Sequence, residues 1–253
     1  MKSHRKVSQS GGQTPAELPE HGHEHAQENS HAHTHNQAPE PGQVAGGGGA
    51  DQGRVVNTAI PDETRRALIR QLTDSAATRA VMGDILRESG SLDFQVKWSE
   101  RGGYFDGTAI FIDRNETEND WFGTLAHEIV HMRNDLIGAG GEVMQDSRED
   151  YIRKQMTDEI ESQAICFLAL IQEGKEEDTA AGYTEFYQWM MTVNSMWMAS
   201  GPTESQDQMN RQMIVALAKN WLEDKYRNVW TTSNTGVNYY DYWGDAWDRA
   251  HAN

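Results

Sequence analysis

Residues 124–135 read TLAHEIVHMRND, and within them His127, Glu128 and His131 spell HEIVH. Side chains four apart share one face of a helix, so a helical reading stacks the two imidazoles one turn apart with a carboxylate beside them. Whether this stretch is helical therefore decides fold and chemistry together. Its flanks answer. Thr117 is followed three residues later by Asp120, an acidic capping pair. Phe122, Leu125, Ala126, Ile129 and Leu136 fall mainly on other faces than the histidines and would bury the helix. Gly138 supplies a stop. The pattern predicts a helix from Thr117 to about Ile137, with its imidazoles on a side that can line a cleft.

Two imidazoles do not close a catalytic metal site, which ordinarily takes three protein ligands and keeps one position open. Asn134 and Ile137 stand where HExxHxxGxxH would place glycine and a third histidine, so that pattern is excluded. Asp135 is too close along the same helix to close the site and is kept as a supporting group around it. The next segment offers more. Ser147 and Asp150 cap a long helix ending at Gly174, and its apolar stripe runs Ile152, Met156, Gln163, Phe167, Leu170. Glu159 falls inside that stripe, where an unpartnered carboxylate is costly. Glu161 lies about 200° further round and reads as solvated, with Asp158 between the two. The bland alternative pairs Glu159 with an arginine such as Arg133. Cys166, on the same stripe, reads as a core thiol.

Around these helices the chain is mixed. Pro61, Asp62 and Glu63 open a helix near Ile60, and a second runs from about Ser75 to Gly90. Leu92, Phe94, Val96 and Trp98 then alternate as in a half-buried strand. ERGG reads as a turn, Tyr104–Phe105 as a short strand, Asp106–Gly107 as a hairpin turn, and TAIFID as another strand. The expectation is a small antiparallel meander before the HEIVH helix, with TAIFID as the rim of a cleft. Helices at about 183–199 and 203–229 follow, and the aromatic stretch from residue 231 onward is not assigned. The fold class is α+β and mostly helical.

Residues 1–56 are rich in Gly, Pro, His and Gln and carry almost no large apolar side chain, so they are expected to be a disordered tail and linker before a domain at 57–253. HGHEH and HAHTH place six alternating histidines there, His21, His23, His25, His31, His33 and His35; they could hold a loosely bound metal, but a soluble low-complexity arm is the plainer reading. With His4 the tail takes seven of the ten histidines, and two of the remaining three fall in HEIVH. A formal charge of −17 argues against nucleic acid and against an anionic membrane as partner. The single cysteine rules out an intrachain disulfide framework. No apolar run follows the basic N-terminus and none reaches about 18 residues. The expected location is the cytoplasm, or outside it by a route without a standard signal peptide, with the tail read by a secretion or delivery system.

HExxH on one helix with a glutamate from a following helix resembles the gluzincin zinc metallopeptidases. Glu159-Ile-Glu161-Ser162-Gln163-Ala164-Ile165-Cys166 resembles the ExEANxFA segment of ImmA/IrrE-type metallopeptidases, with Ser162, Gln163, Ile165 and Cys166 at the departing positions. LAHEIVHMRNDLIGAGG is similar to the HELxHxxR…G pattern of bacterial effector metallopeptidases. These resemblances cover residues 110–170. They imply a zincin-like fold, Zn²⁺ held by His127, His131 and Glu159, Glu128 as general base, and a protein or peptide substrate, in a regulatory protease or a delivered toxin or effector. Tyr183, Tyr187, Tyr239, Tyr240 and His251 are candidates for steadying an oxyanion. The competing reading is a non-catalytic metal-binding or adaptor protein, with HEIVH as a structural zinc clamp.

Overall fold

The structure is a computed structural model, and the residues described are 58–100, 102–175, 184–199, 203–229 and 236–252. The tail expected at 1–56, with its six clustered histidines, lies outside them. Among the described residues, seven helices and one three-stranded sheet follow in the order α1 (Asp62–Asp74), α2 (Ala76–Ser89), β1 (Gln95–Ser99), β2 (Tyr104–Phe105), β3 (Ala109–Asp113), α3 (Glu118–Leu136), α4 (Arg148–Gln172), α5 (Thr184–Ala199), α6 (Glu204–Asn228) and α7 (Tyr239–Ala250).

Most boundaries follow from the capping residues. At α3, the Thr117 side chain accepts from the Asp120 backbone N–H while the Asp120 carboxylate accepts from that of Thr117, a complete capping box. The Ser147 hydroxyl likewise accepts from the Asp150 N–H at the start of α4. Gly90 closes α2 with φ 73°, in the left-handed region a side chain would resist. Pro61 sits just before the first turn of α1 rather than within it. The unassigned aromatic stretch yields α7, capped by Asn238 through the Asp241 N–H. The Trp247 indole N–H donates to the Asp146 carbonyl at 3.1 Å, and Arg148 grips Asp248 with bonds of 2.9 and 3.0 Å, so α7 docks at the head of α4.

The sheet corrects the expected antiparallel meander. Its order is β1-β3-β2: β3 pairs parallel with β1 and antiparallel with β2. The hairpin turn is present one residue later than expected: Asp106 N–H donates to the Ala109 carbonyl at 3.1 Å, Gly107 and Thr108 make the turn with Gly107 at φ 88°, and the Asp106 carboxylate accepts from the N–H groups of Thr108 and Ala109 at 2.8 Å each. The other connection is not a hairpin. The chain passes β3 and returns on its far edge, held where the Asp113 carboxylate accepts from the Gly102 N–H at 2.8 Å. TAIFID is therefore the central strand, with neighbours on both sides, and no further strand can add to it. The strand packed over α3 with an outer edge is β2. It lies close, since a Cβ on Gly103 would sit 2.0 Å from the Thr124 methyl group.

The core runs between the sheet and the helices. Ile110 and Ile112 from β3, Phe122, Leu125 and Ile129 from α3, and Ile152, Met156, Ile160 and Phe167 from α4 are all buried. α3 packs along α4, and α2, α5, α6 and α7 surround that pair. Among the described residues no helix is long and apolar enough to cross a membrane.

Candidate metal centre

α3 and α4 position three donors. His127 and His131 stand one turn apart on α3, and Glu159 meets them from α4. The two Nε2 atoms lie 2.9 Å apart, and Oε2 of Glu159 is 3.7 Å from that of His127 and 3.8 Å from that of His131. A triangle with those sides has a centre about 2.0 Å from each corner, within the lengths imidazole and carboxylate ligands make to zinc, about 2.0–2.2 Å. The group is also enclosed: His127 is 0% exposed and Glu159 4%. Three donors converging on one buried point, two imidazole and one carboxylate, fit a divalent metal ion.

Glu128, the neighbour of His127, is buried on α3 and within electrostatic reach of His131 and Cys166. The Cys166 thiol is fully buried, and burial together with that carboxylate pushes it far above its ordinary pKa. It is a neutral core thiol.

The residues around these three donors correct three expectations. Asp135 is exposed, and Asp158 is the group on His131: its Oδ2 lies 2.7 Å from Nδ1. Arg133 does not answer Glu159; it donates to Asp84 at 3.0 Å and lies 3.6 Å from Glu161. Glu161 is not solvated, since it accepts from Arg211 of α6 at 3.0 Å. Asn134 links these groups, accepting from Arg133 through Oδ1 and donating through Nδ2 to Asp158 and, at 3.4 Å, to Glu161. Burial opposes a charged ring at His131, but Asp158, Glu159 and Glu128 outweigh it and push its pKa up to about 10. Burial likewise opposes the Asp158 charge, and His131, Asn134 and Arg133 outweigh it, holding that carboxyl below its usual range.

Of the residues proposed to steady an oxyanion, Tyr183 and the side chain of Tyr187 lie outside the described residues. Tyr239 meets Tyr226 edge-on at 4.8 Å, Tyr240 lies under the Arg227 guanidinium at 4.5 Å, and His251 stacks on Trp247 at 3.7 Å on the exposed end of α7. Sequence reasoning passed over Tyr226, which is buried and donates to the Glu159 carbonyl at 3.3 Å. It also passed over Arg211, because 50 residues separate that arginine from Glu161 and nothing local marks the pair. Comparison with protein-family models, with curated proteins and with solved structures finds no match to this chain.

Proposed function

We propose that the chain is a zinc-dependent metallopeptidase, gluzincin-like in its ligand set, with His127, His131 and Glu159 as ligands. The observation that carries this is the convergence of the two histidines of HEIVH with a glutamate from the next helix on a single point at metal–ligand distance. Zinc bound there would supply Lewis acidity and bring the pKa of its water down towards about 7. Glu128 is then the general base: its carboxylate takes the proton of the attacking water and delivers it to the leaving amine. The substrate is a protein or peptide chain, and the outer edge of β2 is where an extended segment could lie against the sheet. A fold of zincin type is part of this reading, supported by a small sheet packed over the HEIVH helix.

A second reading, a structural zinc clamp between α3 and α4 in a non-catalytic binding or adaptor protein, draws on the burial of the group. Glu128, 1% exposed, separates the two, because a purely structural site has no use for it. The test is incubation of the zinc-loaded full chain with a proteome-derived peptide library, read by mass spectrometry, beside Glu128→Gln. The expected result is cleavage by the parent, and loss of about 100-fold or more in the variant with zinc content and fold unchanged. Cleavage that survives the substitution would overturn the assigned base.

A further inference from the structure

Arg211 is 2% exposed and Asp84 6%, and the side chains of Arg133 and Glu161 are only 14% and 15% exposed. These four charges come from α6, α2, α3 and α4, and they interlock: Arg211 reaches Glu161 at 3.0 Å and Asp84 at 3.5 Å, while Arg133 reaches the same two carboxylates at 3.6 and 3.0 Å. A buried ionic cluster is a poor device for stability alone, since apolar side chains of similar volume often serve as well or better. Its position suggests another task. It borders Asn134, and Asn134 borders Asp158, the group on His131.

We propose that Asp158, Asn134, Glu161 and Arg211 form one positioning relay for the metal site, so that metal affinity at His131 depends on an arginine contributed by α6. The proposal rests on reading His127, His131 and Glu159 as metal ligands. Each link fixes the next. Glu161 is held by both arginines, and the guanidinium of Arg133 faces the Asn134 oxygen, which turns the amide nitrogen toward Asp158. One oxygen of Asp158 is taken by that nitrogen, leaving the other for Nδ1 of His131. A ring that donates from Nδ1 presents its Nε2 lone pair to the point shared with His127 and Glu159. Because both oxygens of Asp158 accept, an asparagine cannot replace it. Its NH₂ would face either the Asn134 donor or the histidine nitrogen, and in the second case it favours the wrong tautomer.

The test measures zinc affinity by competition with a chromophoric chelator. All samples are full-length chains carrying asparagine at the six clustered tail histidines, so that tail binding does not enter the count. The parent is expected to hold about one zinc. Asp158→Asn is expected to weaken binding by about 10–100-fold, the usual cost of removing a partner that orients a ligating histidine. Arg211→Met and Glu161→Gln are expected to weaken it in the same direction with the far-UV circular dichroism unchanged. If Arg211→Met does not fold, Glu161→Gln reads the same arm, because it removes the charge Arg211 holds and keeps the shape. In the zinc-loaded parent the Nδ1 proton of His131 should exchange slowly enough to be seen by NMR, and Asp158→Asn should lose it. Zinc bound by the parent with unchanged affinity in Asp158→Asn and Glu161→Gln would overturn the relay and leave the ligand set standing. A parent that binds no zinc would overturn both.

Discussion

The ring of His131 has a carboxylate at each nitrogen, Asp158 on Nδ1 and Glu159 beyond Nε2. In the chelator-treated chain this sets a pH dependence whose sign can be worked out. The folded pKa of His131 is raised from 6.5 to about 10, so its contribution to stability is complete below about 6.5 and is lost as the pH climbs through about 10. The folded pKa of Asp158 is lowered from 3.8, so its contribution is complete above that value and is lost as the pH falls below it. Urea unfolding with chelator should show stability falling between pH 7 and pH 10, and the fall should shrink in His131→Gln; equal slopes in the two chains would refute the pairing. On the proposed ligand set zinc should also suppress the fall, because a metal held by His127, His131 and Glu159 would compete with the proton for the His131 ring. At this scale the sequence singled out His127, His131 and Glu159, which the structure brings together, and missed their supports. Glu159 could be singled out because a carboxylate in an apolar stripe needs a reason. Asp158 was placed only as intermediate and Glu161 was misread as solvated, since one helix's periodicity says which way a side chain leaves the axis and not what waits there. Their partners come from α3 and α6.

Elements that announce their own ends were legible. Thr117, Ser147, Gly90 and Gly138 each act through bonds or backbone angles within a few residues, and α2, α3 and α4 begin or stop there within a residue or so. Thr117→Ala removes one side of the capping box on the helix that bears both histidines, and it should cost about 1 kcal/mol in urea unfolding. No measurable change would mean the first turn of α3 is held by its packing alone. The sheet was less legible. Alternation reveals which face of a strand is buried and says nothing about its neighbours. One signal for the true order was present: Ala109, Ile110, Phe111 and Ile112 form an unbroken apolar run and are all buried, as suits a central strand covered on both faces. The glycines at 102 and 103 read equally well as a hairpin turn. What replaces that turn is tertiary: β2 lies on the far edge of β3, and Gly103 there leaves room for the Thr124 methyl group of α3.

For the whole molecule, a metal held by His127, His131 and Glu159 would add a tie between two helices that already meet through apolar contacts and through the hydrogen bonds of Asp158 and Asn134. A ligand that binds only the folded chain stabilises it by mass action, about 2.7 kcal/mol at a hundredfold excess over its dissociation constant. For a domain of this size that corresponds to a rise in Tm of about 5–10 °C. Thermal unfolding of the full chain with and without zinc should show this rise, and Glu159→Ala should abolish it; an equal rise in the variant would place the metal elsewhere. The α+β class and the order of α1 to α6 were readable from periodicity and caps, because those helices signal locally, whereas the aromatic stretch that forms α7 was not assigned. The gathering of α2, α3, α4 and α6 around buried charges was not, because it depends on residues far apart in the chain. Cys166 adds a practical consequence. It is the sole thiol in the chain, fully buried in α4 within electrostatic reach of Glu128 on α3, and uncharged at neutral pH. A thiol reagent can reach it only when α4 opens from its neighbours, so the labelling rate clocks that opening. The chain thus carries an internal gauge of how firmly the two helices that bring His127, His131 and Glu159 together are held, readable without adding any probe to the fold.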